Sequence, residues 1–388
     1  MICKLADICT KIGSGATPRG GKEAYCDKGI SLIRSQNVLD FKFSHAGLAF
    51  VNNEQAAKLN NVEVFDGDVL LNITGDSVAR ACIMDSAFLP ARVNQHVAII
   101  RGKKDCVLNR YLLYYLQWRK RHLLQLASAG ATRNALTKGM IEQLEIDLPS
   151  LSEQKKIVLL LGALDDKIEL HNNIVKNLLV QVDLIYDQCF SDEKKMVELG
   201  NVIKTTSGGT PSRKNPEFYE NSSICWVKSK ELDGSFVHNT EERINEIALS
   251  KSAAKILPTH CVLVAMYGAT VGEYGIISVP MACNQAICAL IPNDRYPYPY
   301  LYELIRHSKE KLKNMAVGSA QQNISQVLIK QLPVHVNIKK VEQFADATIA
   351  LFQMIETLTL ENSHLTAMRN TLLPKLMTGE VDVSNIQI

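Results

Sequence analysis

The sequence predicts an α+β (mixed α/β) protein in which two globular domains alternate with two long helices, the whole built as an internal duplication. Three observations carry this: motifs that recur in one order at a nearly constant offset, short Val-, Ile- and Thr-rich runs between Gly and Asp turns, and two apolar heptad seams. The 388 residues favour two domains over one small core. A composition 46% hydrophobic and 21% charged is that of an ordinary folded chain.

The duplication is read from paired anchors. Thr17-Pro18 recurs as Thr210-Pro211, Asn94-Gln95 as Asn284-Gln285, Tyr111-Leu112 as Tyr300-Leu301, Asn134 as Asn323, and Glu153-Gln154 as Glu342-Gln343. The offsets run 193, 190, 189, 189 and 189. Five anchors in one order with so little drift are the mark of a repeat. Charge repeats with them: residues 1–150 carry a net +5, 151–194 −3, 195–337 +3 and 338–388 −2.

Each copy opens with runs such as VFDGDVLLNITGD and VLVAMYGATVGEYGIISV, which read as short strands joined by tight turns. A helix follows, RYLLYYLQWRKRHLLQLA in the first copy and PYLYELIRHSKEKLKNMA in the second, then a Gly-containing polar loop and a short run ending near Pro149 or Pro333. A long helix closes each copy. In the first, expected over about 152–190, Ile157, Leu161, Leu164, Ile168, His171, Val175, Leu178, Val182, Ile185 and Cys189 alternate at steps of four and three. In the second, Ala347, Leu351, Met354, Leu358, Glu361, Leu365, Met368 and Leu372 do the same until Pro374, which is expected to end the pattern. Matching apolar stripes predict that the two helices pair, with His171 and Glu361 as equivalent interruptions.

Several function classes lose support. No run approaches about 18 consecutive apolar residues and no apolar leader follows Met1, so a membrane span and a secretory signal are not expected. Ten cysteines show no CxxC spacing, and are expected to be reduced, cytosolic and mostly buried, with no metal site. Gly13-Ser14-Gly15-Ala16-Thr17-Pro18 puts proline where a dinucleotide fingerprint needs its third glycine, and Gly21-Lys22-Glu23 lacks the hydroxyl of a phosphate-binding loop. Asn215-Pro216-Glu217-Phe218 lacks the second proline of an amino-methylating motif, and no Ser, His and acid combine into a nucleophilic constellation. No catalytic residue, cofactor or metal is assigned.

The order SGGTPSRKNPEFY, WVKSKELD, an Asn-Gln pair, GATRNAL or GSAQQNI, then a proline and LSEQKKI, resembles the specificity subunits of type I restriction-modification systems over nearly the whole chain. The resemblance implies target recognition domains at 1–150 and 195–337, a central conserved helical region at 151–194 and a C-terminal one at 338–388. It further implies that the long helices pair as an antiparallel coiled coil about a pseudo-twofold. Each globule would read one half of a bipartite double-stranded DNA target, and the helices would set the unread gap and dock two methyltransferase subunits. Restriction/translocase subunits would join in the cytoplasm, and the chain itself would not be catalytic. Val341-Glu342-Gln343-Phe344 departs from the pattern by lacking the basic step of Lys155-Lys156. A bivalent DNA-binding regulator or scaffold, and a fused DNA methyltransferase or nuclease, stand as the rival readings.

Two basic globules, a rigid spacer and no active site of their own are also what a bipartite DNA reader needs physically. Arg, Lys, Asn, Gln and Ser side chains in loops match base-edge and phosphate chemistry. In the first globule the candidates are Thr17, Arg19, Lys22, Arg34, Ser35, Gln36, Asn37, Arg80, Arg133 and Asn134. In the second they are Thr210, Ser212, Arg213, Lys214, Lys228, Ser229, Lys230, Tyr267, Gln321, Gln322 and Asn323. Asn94-Gln95 and Asn284-Gln285, flanked by apolar runs, are expected to be buried turn-forming pairs, and Trp226 to be core.

Overall fold

Alternating contacts along single strands show why the apolar runs are unbroken. In Val69–Asn72, Val69 and Leu71 join one core cluster while Leu70 joins another. In Val262–Ala265, Val262 and Val264 go one way, Leu263 and Ala265 the other. A strand covered on both faces needs apolar residues at every position. The computed structural model describes residues 2–18, 20–128, 134–316, 323–384 and 386.

The chain divides into two compact units, residues 1–167 with 366–388, and residues 168–365. Each combines one globule with a stretch of both long helices, so the helical segments of the sequence reading are shared between units. In the first unit a four-stranded sheet runs Cys9–Ser14, Val97–Gly102, Val69–Asn72, Ala81–Ile83, antiparallel throughout. A second sheet runs Ala49–Val51, Ile30–Ile33, Ala91–Val93, Glu63–Val64, with a parallel central pair. The second unit repeats this: Lys204–Ser207, Ile287–Ile291, Val262–Ala265, Tyr274–Ile277, extended by Phe236–Val237, and beside it Arg243–Ile244, Ile224–Val227, Ala282–Cys283.

The helix after the strands differs between copies. Tyr298–Met315 is continuous, whereas its counterpart breaks into Asn109–Trp118 and Lys120–Ser128 at Arg119, whose ψ of 3° leaves the helical range. The long helices are Leu151–Phe190 and Ile338–Met377, 40 residues each, or about 60 Å at ~1.5 Å per residue. Pro374 does not end the second one. It lies inside the last turn, where its missing N–H costs one hydrogen bond while Leu373 and Leu376 remain buried.

Within each unit the long helices run antiparallel. In the second unit Tyr186 and Phe190 pack on Phe344, with ring centroids 5.5 and 5.9 Å away, while His171 meets Asn362. In the first, Asp165 meets Arg369 and Lys156 donates to the Ser384 carbonyl. The first seam is as expected, every position buried or half-buried. The second is displaced by one residue: Thr348, Phe352, Ile355, Thr359, Asn362, Thr366, Arg369 and Leu373 face inward, whereas Ala347, Met354, Glu361 and Met368 are exposed. Consequently His171 Nδ1 lies 3.0 Å from Asn362 Oδ1, and Glu361 flanks the ring at 3.6 Å from Nε2.

Side chains from the globules also grip the helices. Tyr114 donates its hydroxyl to Asp165 at 2.7 Å, and Arg369 lies 3.7 Å over the Phe41 ring. In the second unit Arg306 donates to the Leu179 carbonyl and to Glu303, His307 lies 2.8 Å from Asp183, and Tyr186 stacks on His307. Asp183, Glu303 and His307 bring ligand-type atoms within 4.8 Å of one another. With the Arg306 guanidinium 2.5 Å from Glu303, a cation already occupies this cluster, and it reads as a helix-docking network.

All ten cysteines are free; Cys9, Cys82, Cys261, Cys283 and Cys288 are buried and Cys26 is exposed. Burial pushes the thiols of Cys9, Cys261, Cys283 and Cys288 up to about 12, which keeps them inert.

Candidate nucleic-acid interface

The Thr-Pro and Asn-Gln anchors, 78 and 75 residues apart in the two copies, meet in space. In the first globule Gly15 donates to the Asn94 carbonyl at 3.1 Å, and an added Cβ there would sit 1.7 Å from the Val93 oxygen. Only glycine permits this approach. Asn94 is buried and its Oδ1 accepts from the His96 N–H, bending the chain so that Gln95 points outward and accepts from the Thr17 hydroxyl. The second copy builds the same loop: Asn284 accepts from the Ala286 N–H, and exposed Gln285 accepts from the Thr210 hydroxyl. The expectation for these pairs is half corrected, because the asparagines shape the turn and the glutamines stand at the surface. Trp226 is core, 2% exposed, its indole N–H donating to the Gly209 carbonyl.

A second element lies beside this junction in both copies. The strands Ile30–Ile33 and Ile224–Val227 run into one-turn 3₁₀ helices, Ser35–Asn37 and Ser229–Glu231. Each is closed by its third side chain, Asn37 accepting from the Arg34 N–H and Glu231 from the Lys228 N–H. Asn37 is a correction to the candidate set. It is fully buried and its amide also donates to the Ser44 and Ala46 carbonyls, so its polar atoms are spent on the loop. Arg34 and Gln36 each donate to the Gly47 carbonyl, leaving Gln36 exposed.

A third element completes the cluster: the turn Gly75–Ser77 and its counterpart Gly268–Thr270. In the first globule Ser35, Gln36, Thr74, Gly75, Asp76, Ser77, Arg80 and His96 line one open concavity. Candidates Ser35, Gln36 and Arg80 are thus brought together. Exposed Asn134 is adjacent, its carbonyl accepting from the Gly75 N–H at 3.1 Å. A hydrogen-bond relay runs through the group, from Thr17 to Gln95, from the Gln95 amide to His96 Nε2 at 2.9 Å, and from His96 Nδ1 to Thr74 Oγ1 at 2.6 Å. In the second globule Tyr267, 40% exposed, pairs with Asn323.

The cations of the second globule are largely engaged within the protein. Arg213 pairs with Glu242 and lies 4.3 Å over the Tyr219 ring. Lys228 pairs with Glu242 at 2.6 Å and Lys230 with Glu241 at 2.6 Å. Their hydrogen bonds hold both glutamates below the usual carboxylate range, Lys230 acting chiefly on Glu241 and Lys228 on Glu242. Ser212 and Lys214 are exposed on the adjoining loop, where the Ser212 hydroxyl accepts from the Lys214 N–H. Arg19, Arg133, Gln321 and Gln322 lie outside the described residues, as does the side chain of Lys22.

Sequence reasoning missed Thr74, Asp76, Ser77 and His96, and it gave Gln95 and Gln285 to the interior. The 193-residue offset that pairs Thr17 with Thr210 also pairs Thr74 with Tyr267, which was a candidate, and so held the signal.

Two segments, residues 1–179 and 191–367, match the family described as type I restriction modification DNA specificity domain. The chain belongs to that family. It is 28% identical over 216 residues to the type I restriction enzyme EcoR124I/EcoR124II specificity subunit of Escherichia coli, covering 52% of this chain and 53% of that one. The match to the HindI specificity subunit of Haemophilus influenzae is 22% over 438 residues, covering 91% and 94%. The crystal structure of the type I restriction-modification S subunit from M. genitalium superposes with a TM-score of 0.57 at 15% identity, covering 97% and 95%, and shares the fold. No helix among the described residues is long and apolar enough to cross a membrane.

Proposed function

We propose that this specificity-family chain reads a bipartite double-stranded DNA target, one half-site per globule, for a cytoplasmic type I restriction-modification complex. One observation carries the reading. The same backbone junction is built twice around identical Thr-Gln pairs, while the side chains beside it are exchanged, Gln36 for Lys230, Thr74 for Tyr267 and Asp76 for Ala269. A common scaffold with exchanged contact groups is what recognising two different half-sites requires. Thr17, Arg19, Lys22, Arg34, Ser35, Gln36, Arg80, Arg133 and Asn134 are proposed to serve the first half-site. Thr210, Ser212, Arg213, Lys214, Lys228, Ser229, Lys230, Tyr267, Gln321, Gln322 and Asn323 are proposed to serve the second.

The long helices are proposed to fix the unread gap and to dock two methyltransferase subunits, with restriction/translocase subunits joining the assembly. The chain needs no cofactor of its own under this reading and is not catalytic alone. Sequencing of methylated genomic DNA, with and without the chain, tests it. The expected result is a two-part methylated motif that appears only with the chain, and an exchange of residues 195–337 for those of a relative changes one part alone. Both parts changing together, or methyl transfer by the isolated chain, would overturn it.

A further inference from the structure

The duplication supplies an internal comparison that locates where specificity resides. At the junction the scaffold residues coincide: Thr17 with Thr210, Gln95 with Gln285, Ser35 with Ser229, Gly75 with Gly268. The side chains around the concavity do not. Gln36 corresponds to Lys230, Thr74 to Tyr267, Asp76 to Ala269 and His96 to Ala286. Positions that share a backbone and differ in side-chain size and hydrogen-bonding chemistry are where two half-sites can be told apart without reshaping the fold.

Asp76 is the informative member. It stands exposed in the middle of the turn Gly75–Ser77, which Gly75 at φ +74° and the Val78 N–H to Gly75 carbonyl bond hold in place. Among the described residues no salt bridge holds it. In the second copy exposed Glu241 and half-buried Glu242 and Glu273 are treated differently, each being paired with lysine. An unpaired carboxylate facing a phosphate backbone is repelled. Where it meets a base edge it has one good partner class, an exocyclic amine, of cytosine or adenine in the major groove or of guanine in the minor, because an ionised carboxylate only accepts.

We propose that Asp76 is a specificity-determining residue of the first globule, accepting a hydrogen bond from an exocyclic base amine in its half-site. The inference rests on the DNA-reading function proposed above. The neighbouring relay through Gln95, His96 and Thr74 fixes the other groups of the concavity around that base pair. The second globule, with Ala269 at this place, reads its corresponding pair without a carboxylate.

The test is Asp76→Ala in the complete complex, read by sequencing methylated DNA. Alanine already occupies the equivalent position of the second copy, so the turn accommodates it. One base position in one half of the motif is expected to become degenerate, with discrimination there falling by about tenfold or more, while the other half is unchanged. A motif identical to wild type overturns the inference and leaves the two-globule reading intact. If methylation is lost altogether, binding of the purified variant to duplexes carrying each base at every position decides. Uniform weakening makes Asp76 structural and overturns the inference, whereas relaxation at one position sustains it. A wild-type complex with no bipartite motif removes both proposals.

Discussion

Arg369 shows how one side chain ties globule to helix. It is 9% exposed, donates to Asp165 at 2.8 Å and lies 3.7 Å over Phe41, while Asp165 also accepts the Tyr114 hydroxyl. Arg369→Ala leaves a largely buried carboxylate with one neutral donor, and removing one partner of such a pair costs about 3 kcal/mol. Chemical denaturation is expected to show that loss, with Arg369→Lys recovering only part of it because lysine cannot keep the planar stack. His307 gives a pH-dependent counterpart. Its hydrogen bond to Glu303, together with Asp183, raises it above its ordinary value against the opposing effect of burial. A raised group stabilises fully below its unfolded value, near 6.5, and that contribution fades as pH rises through the higher folded value. The stability difference between wild type and His307→Gln is therefore expected to be largest in mild acid and to shrink toward alkaline pH. His238 and His335, held low chiefly by burial, act in the opposite sense and cancel in the difference.

At the scale of elements, the polar rungs of the helix pair determine its register. His171 is 6% exposed, its ring bonded to Asn362, whose amide donates to Asn172 at 3.1 Å. A buried polar seam residue selects the alignment that satisfies it, at some cost in stability. A double-mutant cycle with His171→Leu and Asn362→Leu is expected to give a coupling of about 1 kcal/mol, larger than the cycle of His171 with Glu361, which is exposed. Additive losses would place the two side chains apart. The same rung explains where the sequence misled. The first seam is legible because apolar residues occupy it, and the residue range of its helix is legible to within one position. The second seam buries Thr348 and Arg369 and half-buries Thr359, Asn362 and Thr366 while Met354 and Met368 stand 52% exposed, so hydrophobic periodicity points one residue aside. The strands were legible from their apolar runs. The junction of Thr17 with Gln95 was not, because nothing local tells that two turns 78 residues apart share a hydrogen bond. Asp76 likewise hid in a segment that reads simply as a turn.

At the scale of the whole molecule, the proposed function makes helix length a measurable quantity. Each long helix is a continuous 40-residue element, and within each unit it is packed into the globule's own core, Ile157 and Leu161 in one and Leu178, Val182 and Tyr186 in the other. A globule held this way follows its helices when they lengthen. Seven residues inserted into both helices at facing seam positions preserve the apolar stripe and add roughly 10 Å at ~1.5 Å per residue. Duplex DNA advances about 3.4 Å per base pair, so the unread gap of the methylated motif is expected to grow by about three base pairs while both half-sites keep their sequence. Two residues inserted instead would turn the stripe by roughly 200°, off its partner, and the chain is expected to lose cooperative unfolding. A folded seven-residue insertion that methylates the original motif with the original gap would show that the helices do not set it.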